Sequence, residues 1–372
     1  MYIGYISPTD PFEDKTSWSG TYFNTRKAIE ESGNRVEWVK YSESKLGAKI
    51  CRKLYRIFFG KGLYDHSRLA GKICVKSIKD DLSKYDLLFI PGQSAIVSEL
   101  KVDVPILHYS DATAHLMFDY YWFNFSDRAV KEAEVVEQNA IDNSAYNLLA
   151  SQWAADSALK DYNAVNDKVF VLPFGAGIDE KLIQKATKYD GKKLKVIFSG
   201  VDWKRKGGEI AYETVRILNE RGIKSELLIC GIRNLPQYVK NASFVTNLGF
   251  LNKNNAEDLK KYCDAWKTSN LLLLPTRAEC AGIVFSEASA YGVPVLTTDT
   301  GGIGSYVVNG VNGKRLNLMA TADDYANVIE SWIERDELSR LADNACTFYK
   351  NNISWKAWGK KFSEIISKLG RD

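Results

Sequence analysis

Two carboxylates frame a glycine in "LLLLPTRAECAGIVFSEASAYGVPV". Glu279 follows an apolar run that ends at Pro275, Gly282 comes next, and Glu287 stands in a helix-like segment closed by Gly292. A helix that starts at Gly282 presents free N–H groups and a partial positive charge, which suits a phosphate. A carboxylate beside a phosphate is repelled, so carboxylates at both ends of a diphosphate are useful only as acceptors for hydroxyls. With the helical part at ~1.5 Å per residue, Glu279 to Glu287 spans about 10 Å, the reach from a sugar ring across a diphosphate to a ribose. The spacing points to a nucleotide-diphosphate-sugar.

A diphosphate needs cations, and "VIFSGVDWKRKGGEIAYETV" offers them. Its apolar run ends at Gly200, and a loop then carries Lys204, Arg205 and Lys206 ahead of Gly207 and Gly208. Lys206 can reach the diphosphate, and Arg205 offers a planar fork for two phosphate oxygens. Either glutamate alone would pass for a solvated residue, and the basic loop alone for a solvated loop. Together, on matching strand ends, they read as a donor site.

The elements that must position these residues form two series. "YIGYIS", "VEWVK", "DLLFIPG", "PILHYS", "NLLASQW" and "KVFVLPFG" alternate with helix-period segments; "LKVIFSG", "SELLICG", "SFVTNLG", "NLLLLP" and "PVLTTD" do so again. Apolar strands separated by helices indicate parallel sheets covered on both faces, and two series indicate two doubly wound α/β domains. The least regular join, "PFGAGIDEKLIQKATKYDGKK", puts the boundary near residues 175–193. Ligands of open parallel sheets sit beyond the strands' C-terminal ends, so the expected site is a cleft between the two sheets.

"TRAECAGIVFSEASAYGVPVLTTDTGGIGSYVVNGVNGKRL" resembles the signature of retaining glycosyltransferases of family 4, with further similarity in "WSGTYFNTRKAIEESG", "SDAT" at 110–113 and "LPFGAGID". The resemblance covers most of the chain, the second half most strongly. It implies the GT-B fold: two facing Rossmann-like domains, residues 1–175 for the acceptor and 176–354 for the nucleotide sugar, with the C-terminal helix, 355–372, crossing back to the first. It implies that Glu279 holds donor-sugar hydroxyls, that backbone around Gly282, Ile283 and Val284 meets the sugar and distal phosphate, and that Glu287 binds the ribose. Lys206 would bind the diphosphate. Many members carry Arg directly after the strand-ending Gly200, where this chain has Val201; Arg205 would supply that charge from another position. Base contacts would come from the loops near Gly231 and Phe250.

In the first half, Gly20 of "WSGTYFN" lets a backbone approach a ligand, and Thr21 offers N–H and hydroxyl donors, although a plain helix cap is the commoner use of Ser-Gly-Thr. Asp111 is placed to orient or deprotonate an acceptor hydroxyl. His108 and His115, two of only three histidines, fall near it and are candidates for hydrogen bonds to the donor sugar. Tyr120, Tyr121, Trp122 and Phe123 read as the core face of a helix in preference to a sugar-stacking platform. In "SKLGAKICRKLYRIFFGKGLY", six basic residues and no acid accompany Leu46, Ile50, Leu54 and Phe58 at every fourth position. That pattern fits a core-packed helix with a solvated basic face, and it also fits peripheral membrane contact through residues 45–61.

Composition narrows the field. With 372 residues, 45% hydrophobic and 26% charged, the chain is an ordinary globular protein of two-domain length. A net charge of +4 is small for this length and by itself gives no reason to expect nucleic acid. Six scattered cysteines and no visible leader are expected of a cytoplasmic protein, here with the inner membrane face as a possible station. No Asp-x-Asp occurs, so a metal-independent reaction is expected, with the nucleotide sugar as substrate and no cofactor. The expected function is sugar transfer to a hydroxyl of a glycan or lipid-linked acceptor, in bacterial surface-polysaccharide synthesis. A nucleotide-sugar 2-epimerase would need more acid–base groups, and a sugar phosphorylase a lysine for pyridoxal phosphate. A catalytically silent sugar-binding subunit is opposed by Glu279, Glu287 and Lys206 being intact.

Overall fold

A computed structural model describes residues 1–42, 45–58 and 62–369, with residues 45, 46 and 58 described by backbone only. The chain divides into two compact units, Met1–Pro173 with Gly359–Asp372, and Phe174–Trp358.

The first unit is built on six parallel strands: β1 (Tyr2–Ile6), β2 (Arg35–Val39), β3 (Leu87–Pro91), β4 (Ile106–Ser110), β5 (Tyr146–Leu149) and β6 (Val169–Val171), in the order β2-β1-β3-β4-β5-β6. Leu87, Leu88, Phe89 and Ile90 are fully buried, as expected of a central strand covered on both faces. The C-terminal helix Trp355–Ile366 supplies Phe362 to this core, edge-on to Phe89 at 5.8 Å.

The second unit repeats the design with β7 (Leu194–Ser199), β8 (Ser225–Cys230), β9 (Val245–Gly249), β10 (Leu271–Leu274), β11 (Val295–Thr298) and β12 (Gly313–Leu316), ordered β12-β11-β10-β7-β8-β9. Every pairing is parallel, with Leu271 opposite Val196 and Leu272 opposite Ile197 where β10 meets β7. The order reverses between β7 and β10. Loops that leave such a pair diverge to opposite faces and open a crevice, which is where doubly wound sheets bind ligands. The basic loop follows β7, and the Glu279 loop follows β10. Two Rossmann-like sheets are thus present, as the strand pattern indicates.

One element differs in kind from expectation. Tyr120, Tyr121 and Trp122 belong to a tight turn after the short helix Ala114–Met117, with Phe118 bridged to Trp122 and with Asp119 and Asn124 in the left-handed region. The left-handed residues stop a helix that the aromatic run alone would permit.

Candidate active site

The two loops at the β7/β10 reversal are stitched to each other. The Arg277 N–H donates to the Arg205 carbonyl at 2.8 Å, and Arg205 Nη1 donates to the Ala278 carbonyl at 3.0 Å. Arg205 therefore braces the glutamate loop, a role its candidacy as a phosphate ligand did not include. Close approach of the backbones requires Gly207: its φ is +74°, and a Cβ there would lie 1.9 Å from the Pro275 carbonyl oxygen. Gly282 (φ +74°) caps the helix Ile283–Tyr291, where a Cβ would strike the Phe285 ring at 2.6 Å. Ile283 and Val284 open that helix half-buried, with their N–H groups at its positive end.

Lys206 and Glu279 form an ion pair, each side chain only 10% exposed. The sequence placed them separately, one on the diphosphate and one on the sugar. In the fold they act as a unit. Glu279 offsets the buried ammonium in the ligand-free protein and fixes its position, and neither charge is left uncompensated in a poorly solvated place.

Glu287 is 2% exposed, and both of its oxygens are engaged. Oε2 accepts from the Tyr262 hydroxyl at 2.6 Å, and Oε1 from Lys253 Nζ at 2.5 Å. Lys253 lies over the Tyr262 ring, 4.5 Å from its centroid, with its ammonium 3.5 Å from the Gly177 carbonyl. Burial, and then the Glu287 charge, push the Tyr262 phenol well above its usual range, so it stays a neutral donor. Sequence reasoning missed both partners. Tyr262 sits at a core position of the amphipathic helix Ala256–Thr268, and Lys253 in "FLNKNN" matches no motif.

The expected base-side loops sit beside one another. The Gly200 N–H donates to the Cys230 carbonyl at 3.0 Å, and the Gly231 N–H to the Gly249 carbonyl at 2.7 Å. A cavity of about 540 Å³ is lined by Val201, Asp202, Trp203, Gly231, Ile232, Arg233, Asn234 and Phe250. The Arg233 guanidinium lies 4.4 Å from the Phe250 ring centroid, a flat cationic surface at the cavity wall.

The first unit's candidates fare unevenly. Gly20 is left-handed (φ +84°) and caps the helix Thr21–Glu31. Thr21 is fully buried, and both its N–H and its hydroxyl are directed at the Trp18 carbonyl, the latter at 2.6 Å. It therefore lacks the free donors expected of it. Trp18 (φ 48°) and Ser19 (φ 57°) precede Gly20 in the same left-handed conformation, so three such residues follow one another after β1. Asp14 anchors this turn, accepting from the Thr16 and Ser17 backbone and side chains. Strain of this sort persists only where the surroundings impose it, and it collects at functional sites.

Asp111 follows β4 directly. Burial pushes the nearby Tyr22 phenol up to about 12, with the Asp111 and Asp14 charges adding to the effect. His108 lies inside β4, 3% exposed, with Nε2 3.4 Å from the Ser94 hydroxyl. Burial lowers its pKa to about 4 and keeps the ring neutral. His115 is partly exposed, and its Nδ1 is 3.0 Å from Glu134. Both histidines belong to the first unit, and the donor loops to the second.

Residues 179–346 match the family described as glycosyl transferases group 1. That span contains Lys206, Glu279, Glu287, Tyr262 and Lys253, so the whole cation–carboxylate arrangement lies within the matched region. The chain is similar to a D-inositol 3-phosphate glycosyltransferase of Corynebacterium jeikeium, 23% identical over 312 residues, which are 77% of this chain and 73% of that protein. In fold it is similar to the sucrose-phosphate synthase of Thermosynechococcus elongatus, with a TM-score of 0.72 and 18% identity across 99% of both chains. It is also similar to Anabaena Alr3699/HepE, solved in complex with UDP-glucose, with a TM-score of 0.59 and 17% identity across 99% of this chain and 100% of that one. The architecture, two six-stranded parallel sheets covered by helices, is of the GT-B type.

Proposed function

We propose that the enzyme moves a sugar from a nucleotide-diphosphate-sugar to a hydroxyl of a glycan or lipid-linked acceptor, with retention at the anomeric carbon and without a divalent metal. The first unit, residues 1–175 with 355–372, takes the acceptor, and residues 176–354 take the donor. Surface-polysaccharide assembly on the cytoplasmic side of a bacterial membrane is the setting this substrate pair fits.

The observation that carries this reading is the buried Lys206–Glu279 pair beside the Gly282 helix start. As the bond from the anomeric carbon to the phosphate oxygen breaks, its electron pair goes to the diphosphate. Lys206 and the N–H groups at Ile283 and Val284 meet that growing charge, with Arg205 close by, and a preorganised site gains most from charge that appears only in the transition state. Glu279, relieved of part of its hold on Lys206, accepts from donor-sugar hydroxyls. Glu287 and Lys253 hold the ribose, and the Gly231–Phe250 cavity takes the base. The acceptor oxygen bonds to the anomeric carbon on the face the phosphate leaves, and its proton passes to the leaving phosphate oxygen. Asp111 orients the acceptor hydroxyl. No protein nucleophile is required.

A donor-hydrolysis and transfer assay with UDP-glucose, product anomers being read by NMR, tests the reaction. An inverted product removes the retaining mechanism. Activity abolished by EDTA and restored by Mn²⁺ or Mg²⁺ removes the metal-independent one.

A further inference from the structure

The helix Lys45–Phe58 presents three different faces. Ala48 (4% exposed) and Tyr55 (8%) pack on the protein, and Cys51 joins Tyr55, Tyr64 and Ala70 in an apolar cluster. About 130° round the helix, at 3.6 residues per turn, a second apolar stripe points away from that contact. Ile50, Leu54 and Ile57 are 51%, 44% and 64% exposed. The third face carries Lys49, Lys53 and Arg56, all exposed, and Arg52, which forms an ion pair with Asp65 at 2.6 Å. The sequence pattern of Leu46, Ile50, Leu54 and Phe58 favours a core-packed helix. The structure packs the helix by other residues and leaves Ile50 and Leu54 outside. The side chains of Leu46 and Phe58, and residues 59–61, lie outside the described residues.

We propose that this helix docks the enzyme on an anionic lipid surface, with Ile50, Leu54 and Ile57 entering the acyl boundary and Lys49, Lys53 and Arg56 lying among the headgroups. An exposed apolar stripe flanked by cations, with no acidic residue in the helix, is the pattern of a helix that lies in the membrane interface plane. No helix among the described residues is long and apolar enough to cross a membrane, so contact of this kind is peripheral. A second copy of the chain fits the face less well, because a two-fold contact would set Lys49, Lys53 and Arg56 against their own like charges. The proposal stands on this helix and not on the transfer reaction.

Vesicle flotation of the full chain at ~0.1 M salt tests it, with phosphatidylcholine alone against phosphatidylcholine holding one third phosphatidylglycerol. The protein is expected to float with the anionic vesicles and not the neutral ones. Ile50→Ser/Leu54→Ser/Ile57→Ser and Lys49→Glu/Lys53→Glu/Arg56→Glu should each lower the partition coefficient at least about tenfold. Both should keep the wild-type circular dichroism and melting temperature, since the altered side chains touch solvent. Failure to float with anionic vesicles, or flotation that neither variant reduces, overturns the proposal. So does a dimer seen by sedimentation that the serine variant disrupts while vesicle binding is absent. No donor or turnover is needed, so the outcome is independent of the proposed reaction.

Discussion

Glu279 holds Lys206, and Glu287 holds Lys253 and Tyr262. The two carboxylates therefore predict different failures. Glu279→Gln should lower kcat without weakening binding of the free nucleoside diphosphate, because that ligand has no sugar to hold and Lys206, released from its carboxylate, is left free to meet the diphosphate. Glu287→Gln should weaken diphosphate binding itself. Titration calorimetry beside initial rates checks both, and the reverse pattern would exchange the assignments. Lys206→Ala should cost about 100-fold in kcat/KM, the equivalent of ~3 kcal/mol at a buried leaving group. It also strips Glu279 of its partner, so Lys206→Ala/Glu279→Gln should melt higher than Lys206→Ala alone. Both glutamates, the lysine and the glycine between them were legible as residues because their types and spacing imply one ligand. Their mutual pairing was not, since an ion pair between positions 206 and 279 depends on which strands are neighbours. Lys253 was illegible for the same reason, one side chain in a loop made meaningful only by β9 ending near the Glu287 helix.

At the scale of elements, the apolar runs identified eleven strands, because buried parallel strands are written as continuous hydrophobic stretches. β12, "GKRL", escaped: it is an edge strand, and Gly313 is there so that the backbone can close on Val295, where a Cβ would sit 2.1 Å from the carbonyl oxygen. The contact between the site loops is equally tight. Gly207→Ala should destabilise the protein by at least ~2 kcal/mol and remove activity with it, since residue, loop and Pro275 must all shift; a chemical-denaturation midpoint equal to wild type would contradict this. The helix Asp127–Asn143 buries Glu137 near Ser94, and burial raises its carboxyl from 4.5 to about 7. The folded state keeps that proton where the unfolded state gives it up. The stabilisation is complete below pH 4.5 and is lost as pH rises through 7. His108, lowered from 6.5 to about 4, works in the opposite sense and loses its contribution as pH falls through that window. Comparing wild type with Glu137→Gln cancels the histidine. The variant should gain on wild type between pH 4.5 and 7, by up to ~3 kcal/mol at pH 8 (about 2.5 pKa units at ~1.36 kcal/mol each). A constant difference across that range would show that Glu137 titrates normally.

For the whole molecule, the order of strands, and not any single one, makes the site. The reversal between β7 and β10 puts a cationic loop and a glutamate loop side by side, and nothing local in either stretch announces the other. A nucleoside diphosphate that binds there should raise the melting temperature with its concentration, and UDP is the first to try; at 100 times its Kd the gain is ~2.7 kcal/mol. A flat response to every nucleoside diphosphate would leave the cavity by Phe250 without an occupant. The left-handed turn at Trp18, Ser19 and Gly20 bears on a different matter, the tolerance of the molecule to heat. Two of its three residues carry side chains in a backbone conformation that costs an ordinary L-residue about 1–2 kcal/mol, against ~0.5–1 kcal/mol for the added freedom of a glycine. Ser19→Gly should therefore make a hardier protein by up to ~1 kcal/mol. Selecting this chain for endurance would favour such a change in the loop after β1, and would loosen a backbone that the fold holds out of its preferred shape at three consecutive residues.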